Sequence, residues 1–201
     1  MPVSPVKLTE KLHLVVPLYR TTFSEGKEQL DTVYAYVHAA PVSREIFEAH
    51  YLLLARTFTE IHTAGLAEIA GPRIAAMMMR DVARKLGDEQ GHRALMNEIR
   101  RLSNARVQTE SGWEVMPFED ALNHLDPDDA SEAENAIVFF IAVSAMHRKT
   151  VTPGYLRGAA ALWGAETTFS DFTAWNASQE TSTAGARSAS KKAAIASSIP
   201  R

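Results

Sequence analysis

The stretch from Ala136 to Met146 is apolar on every side, so periodicity alone does not separate a buried strand from a buried helix. Its flanks decide. Ser131 with Glu134 three residues on has the spacing of a capping box. Acidic residues crowd the first turn, and His147, Arg148 and Lys149 crowd the last, which suits a helix dipole. The pattern therefore predicts a helix over about 131–148, with Asp126 to Asp129 as a loop leading into it. A helix apolar all round must be covered all round, so it is expected to form the core against which other elements pack.

The rest of the chain falls into period-two and helical segments. Lys11 to Tyr19 (Leu12, Leu14, Val15, Val16, Leu18) reads as a strand, and Pro17 argues for an edge position. Val33, Ala35 and Val37 alternate with Tyr34, Tyr36 and His38, a half-buried strand pattern ended by Pro41. A polar loop around Ser24-Glu25-Gly26 makes the two a hairpin. Ser43 is placed to cap a helix running to about Ala64, with Ile46, Phe47, Tyr51, Leu54, Phe58 and Ile61 at helical spacing and Gly65 ending it. A helical turn is expected over Leu66 to Ala70. Pro72 restarts the chain in a helix through Ile74, Met77, Met78, Met79, Val82 and Leu86 that ends at Gly87, and another helix spans roughly 91–104.

Residues 106–115 read as a short second hairpin turning at Glu110-Ser111-Gly112, and Pro117 to Leu125 as a short helix. Thr152-Pro153 opens a helix through Trp163, closed by Gly164. Thr167 to Ala177 holds Phe169, Phe172 and Trp175 at three-residue spacing and reads as a docking turn of helix. From Ser178 to Arg201 the chain is mostly Ser, Thr, Ala and Lys, which buries too little surface to offset its ordering entropy and is expected to be disordered when free. The fold expected is α+β and predominantly helical. Residues 1–177 form a single globular domain, with a division into 1–104 and 105–177 as the alternative, followed by a low-complexity tail.

Composition adds limits. The chain has 201 residues, 46% hydrophobic and 22% charged, the balance of an ordinary soluble domain. A net charge of -3 produces no whole-molecule field toward nucleic acid or an anionic membrane. The absence of cysteine excludes disulfides and thiolate metal sites. The N-terminus lacks the regions of a signal peptide, and no apolar run reaches the ~20 residues of a membrane span. A soluble cytoplasmic protein without a membrane partner is expected.

Candidate chemistry is sparse. None of the seven histidines (13, 38, 50, 62, 92, 124, 147) lies in a His-Glu-x-x-His motif or shares ligand spacing with carboxylates, so no metal is expected. No phosphate-cradling glycine loop or Gly-x-Ser-x-Gly elbow occurs, and no cofactor or catalytic residue is assigned. Asp128, Asp129, Glu132 and Glu134 read as helix-start partners rather than an acid/base pair. Arg84, Lys85, Arg93, Arg100, Arg101 and Arg106 form either a basic face for nucleic acid or a solvated helix face. The acidic interruptions Asp88, Glu89 and Glu98 favour the second. Met77, Met78 and Met79 cover most of one helix circumference, so at least one of them is expected to face outward. They are either core filler or an adaptable partner surface, and core filler is favoured. Trp163, Phe169, Phe172 and Trp175 either dock the base of the tail or form a partner-binding patch, and docking is favoured.

Four segments carry a resemblance: Leu95-Met-Asn-Glu-Ile-Arg-Arg-Leu; Gly112-Trp-Glu with Pro117-Phe; Ser131-Glu-Ala-Glu-Asn-Ala-Ile-Val-Phe-Phe; and Ala161-Leu-Trp-Gly-Ala-Glu-Thr-Thr. Together, over about residues 90–180, they resemble tail assembly chaperones of long-tailed, siphovirus-type bacteriophages. The Ala-Glu-Asn helix start is similar to the lambda-type version. The resemblance implies a non-enzymatic protein that binds the tape-measure protein, keeps it soluble and helps recruit the tail-tube protein. In many phages a frameshifted extension makes the tail-tube contact. The partner-binding candidates on this reading are Met77, Met78, Met79, Trp163, Phe169, Phe172 and Trp175, and homo-oligomerisation is left open. The alternatives are a structural virion component of the neck or tail-completion type and a nucleic-acid-binding regulator that uses the arginine helix.

Overall fold

Two β-hairpins lie far apart in the sequence but share one antiparallel sheet. The computed structural model of the chain describes residues 8–22, 30–65, 69–146 and 152–180. The first hairpin is β1 (Leu8–Thr22) and β2 (Leu30–Ala39), and the second is β3 (Ser103–Thr109) and β4 (Gly112–Pro117). A fifth strand, β5 (Glu166–Ser170), completes the order β4-β3-β2-β1-β5. Helices α1 (Arg44–Ala49), α2 (Tyr51–Thr63), α3 (Gly71–Leu86) and α4 (Glu89–Arg101) connect the hairpins. Then α5 (Phe118–Ala121), α6 (Pro127–Met146) and α7 (Thr152–Leu162) follow β4, and α8 (residues 172–180) follows β5. The architecture is mixed α+β and mostly helical, as the hydrophobic pattern predicts.

The sheet joins because β2 pairs with β3 in the register Val37 opposite Ala105. Along β1, Leu12, Leu14, Val16 and Leu18 belong to the main core, with Ala35, Val37 and Ala39 of β2 and Ala105 and Val107 of β3 beside them. The alternate residues His13, Val15, Tyr36, His38 and Arg106 face the other side, yet they are also mostly buried. Burial on both faces explains why β1 reads as a nearly continuous apolar run rather than a clean alternation. Pro17 does not mark an edge strand, since β1 has neighbours on both sides. β5, however, pairs only with the N-terminal part of β1 and stops opposite Val15, so at Pro17 that flank of β1 is locally an edge and the missing N–H costs nothing.

The apolar helix α6 lies in the middle of the helical layer and packs on α2, α3, α7 and β1. Ala133 and every residue from Asn135 to Val143 are buried. Its start differs from the capping-box expectation. Asp126 caps it, its side chain accepting from the Asp128 N–H at 2.9 Å and its carbonyl accepting from the Ala130 N–H at 2.8 Å, with Pro127 at the first helical position. Ser131 is already one turn inside, and Glu134 reaches outward to Arg100. The basic triplet His147, Arg148 and Lys149 lies outside the described residues, as does the loop at 24–26.

Asn135 is the polar residue within this buried stretch. Its Oδ1 accepts the Ala76 N–H of α3 at 2.9 Å and its Nδ2 donates to the Ser131 carbonyl at 2.8 Å. Both halves of the amide are thereby satisfied, and α6 is tied to α3. A second tie runs from the sheet. A register shift at Leu18/Tyr19 bulges β2 so that Tyr34 joins Ala35 on the core side. The Tyr34 hydroxyl donates to the Asp129 carboxylate in the first turn of α6 and accepts from the Asp126 N–H at 3.3 Å. Burial, and then the bond to Asp129, push the phenol up to about 12. Tyr34→Phe is expected to lower the denaturant midpoint by the equivalent of about 1.5–3 kcal/mol, the range for a bond to a charged acceptor. An unchanged midpoint would mean that the bond is exchanged for water at no cost.

Three further expectations change. The helix predicted over 43–64 is broken at His50 (φ −116°, ψ 20°), which turns Tyr51 outward. Ser43 does cap α1, accepting from the Ile46 N–H at 3.3 Å. Thr167 to Ala177 is not one docking turn of helix: its first part is β5, and α8 begins after Asp171. α8 also takes in residues 178–180, so the low-complexity composition does not begin where the fold stops. Residues 181–201 lie outside the described residues, as do Leu66 to Glu68 of the turn expected before α3.

Candidate functional site

Nearness in the sequence groups Trp163 with Phe169, Phe172 and Trp175 as one aromatic run. The sheet separates them. Trp163 meets Phe139 of α6 edge-on at 5.9 Å, and Phe169 packs against the main core, so both belong to the helical side. Phe172 and Trp175 come from α8 on the opposite face. Trp175, 6% exposed, sits 5.7 Å from the His38 ring and 5.5 Å from the Tyr36 ring, and Phe172 meets His38 at 5.5 Å. Trp175 is thus a docking anchor and is not available to a partner while α8 is in place.

The three methionines of α3 diverge in the same way. Met79 is fully buried, which removes it from any partner surface; Met78 is partly buried against the core; Met77 is 48% exposed. Met77 lies in a row with Arg73, Arg80 and Arg84, all exposed, at intervals of three or four residues. Sequence reasoning missed the other large apolar side chains of the helical layer that face water: Tyr51 and Leu52 at the start of α2, Ile69 before α3, Leu86 at its end and Leu162 at the end of α7. For Tyr51 the missing signal was the break at His50, because an unbroken helical period places it inward.

The open face of the sheet holds a second cluster. Arg106 on β3 lies beside Tyr36 of β2, with its guanidinium 5.1 Å from the Trp113 ring of β4, and Tyr36 and Trp113 are 5.8 Å apart. Arg106 is 5% exposed and its Nη1 has no hydrogen-bond partner among the described residues. Cation–π contact with Trp113 partly compensates the buried charge. Further along the same face, His13 and His38 are 7% and 1% exposed, with ring centroids 5.1 Å apart. The His38 Nε2 donates to the Ser170 carbonyl at 3.2 Å, which leaves Nδ1 as a buried, unprotonated nitrogen without a partner among the described residues. Burial, reinforced by the neighbouring His13, pushes His38 down to about 4. Burial also lowers His13, against the opposing pull of Asp171.

The basic residues considered for nucleic acid do not gather into one surface. Arg84 pairs with Asp81, Lys85 with Glu60, Arg100 with Glu134 and Arg101 with Glu98, at 2.6–3.5 Å, and Arg106 lies on the far side of the sheet. Carboxylates next to four of the six cancel much of the field that phosphate binding needs. An open cleft of about 500 Å³ lies between the hairpin ends, lined by Arg20, Gln108, Glu110 and His124 among others. Arg20 rests over the Tyr34 ring there at 4.8 Å. Among the described residues no three His, Asp or Glu side chains come together as a metal site, and no helix is long and apolar enough to cross a membrane.

These features define a sheet-backed helical protein that leaves several large apolar side chains of its helical layer in water. No family model, curated protein or solved structure matches the chain.

Proposed function

We propose that this chain is a tail assembly chaperone of a long-tailed phage, which binds the tape-measure protein through apolar contacts on its helical layer. The observation that carries the reading is the set of large apolar side chains left in water there: Tyr51, Leu52, Ile69, Met77, Leu86 and Leu162. Single exposed apolar residues are ordinary, but six on one layer, including a methionine among arginines, suit an irregular amphipathic helical partner. The resemblance of residues 90–180 to such chaperones supplies the partner's identity. The buried members of the original candidate set, Met79 and Trp175, act on this reading as scaffold, and Met77 is the member placed to touch a partner. A cytoplasmic location in the bacterial host and recruitment of the tail-tube protein belong to the same proposal.

Co-expression with the tape-measure protein of the same phage tests it. The soluble fraction of that protein is expected to rise and the two to co-purify, with Met77→Glu and Leu52→Glu weakening capture without unfolding the chain. No gain in solubility together with no co-purification rejects the proposal. Detection of the chain in purified virions would instead favour a structural neck or tail-completion component.

A further inference from the structure

Helix α8 is the element that covers the half of the sheet turned away from the main core. It has nine residues, too few to hold a helix in water without tertiary contacts. Its order therefore depends on what it touches. Asp171 caps it, accepting from the Ala174 N–H at 2.9 Å, and Trp175 and Phe172 dock it onto His38 and Tyr36. The surface that receives these aromatic rings is thus His38 and Tyr36 of β2, with the His13 ring of β1 beside His38 at 5.1 Å. The carbonyl that holds His38 belongs to Ser170, the last residue of β5 and the one before the cap. Because Trp175 lies outside the main core cluster, α8 is able to leave without opening the helical layer.

We propose that the His13–His38 pair is a proton-sensitive lock, which holds α8 over the sheet while both rings are neutral and releases it, with the helical core intact, when the pair takes up a proton. Departure of α8 uncovers Tyr36, His38 and the flank of Arg106, turning a covered face into an aromatic surface. The charged and titratable groups around the pair are few. Lys11 on β1 opposes a proton on His13, whereas Asp171 at the start of α8 favours a proton on either ring. Tyr36 and Arg106 lie two positions along the same face, and Glu166 of β5 stands opposite Val15. Asp171 is the carboxylate that acts on both rings, and set against this burial it leaves the neutral pair favoured.

The sign follows from the direction of the shift. A histidine held below its ordinary value of 6.5 stabilises the docked state above that value, and loses this contribution as pH falls toward the docked value of about 4. For His38 alone the docking equilibrium weakens by up to about 70-fold between pH 7.5 and 4.5, the limit reached when the released ring titrates at its ordinary value. Hydrogen exchange by mass spectrometry, corrected for intrinsic pH dependence, is expected to show that loss of protection in residues 172–180, with Ile137 to Val143 still protected. His38→Phe keeps an aromatic filler that cannot charge and should keep α8 protected at pH 4.5. Asp171→Asn keeps the cap but cannot titrate and should leave the transition in place. The proposal fails if wild-type α8 stays protected at pH 4.5, or if α6 loses protection together with it. It fails equally if Asp171→Asn abolishes the transition or His38→Phe leaves it unchanged. Should His38→Phe not fold, the wild-type and Asp171→Asn profiles decide alone.

Discussion

Phe139→Ala is expected to remove about 3–5 kcal/mol of folding stability, the range for truncating a fully enclosed aromatic side chain. Phe139 has no exposure to solvent, lies midway along the buried stretch of α6, and touches the edge of Trp163 and the first turn of α3. Truncation forfeits the transfer of the ring from water and leaves a cavity that three elements border. Those elements are themselves fixed by other contacts, so the cavity collapses only partly. Chemical denaturation followed by circular dichroism checks this: the midpoint should fall with the slope unchanged. A loss below about 1 kcal/mol would show that the ring is not part of a close-packed centre.

Gly71→Val attacks the same contact from the other side and is expected to cost about 2–3 kcal/mol, the upper part of the range for overpacking. Gly71 opens α3, and a Cβ built there lies 2.7 Å from Cε2 of Phe139 and 3.0 Å from Cγ2 of Ile61. Both neighbours are buried, so neither swings aside freely. The absence of a side chain, rather than backbone freedom, is what lets α3 start so close to α6. Combining Gly71→Val with Phe139→Leu should cost less than the sum of the two single changes, because the smaller side chain vacates the space that valine claims. Strict additivity in that double-mutant cycle would mean that the two residues do not meet.

The sequence predicts α6 correctly as a buried helix, because its stretch is apolar on every side and acidic residues gather at its start. It misplaces the start by one turn. Ser131 and Glu134 fit a capping box, but Asp126-Pro127 carries the same information four residues earlier, and only packing against Tyr34 selects it. Both hairpins are legible from alternation and turn residues, whereas their union in one sheet is not, since nothing local in Val37 names Ala105 as its neighbour. β5 escaped notice because Glu166 to Ser170 has too few apolar residues to show a pattern, and its pairing with β1 supplies what its own composition lacks. The candidate surface divides along the same line. Helical periodicity predicts that at least one of three adjacent methionines faces water, and the fold alone shows that it is Met77. Nearness in the sequence collects four aromatic residues that a strand, inserted among them, sends to opposite faces.

The position of β5 bears on how the chain is made. Leu14 of the first hairpin pairs with Thr167, so the sheet closes only after about 150 further residues have left the ribosome. Until α6 emerges, the nascent hairpin of β1 and β2 presents Leu14, Val16 and Val37 with nothing to cover them, and its outer flank lacks a strand. Contacts this distant in sequence form slowly, and an uncovered strand flank invites pairing with another copy during the wait. Synthesis rate and temperature, more than equilibrium stability, should therefore set the yield of correctly assembled protein.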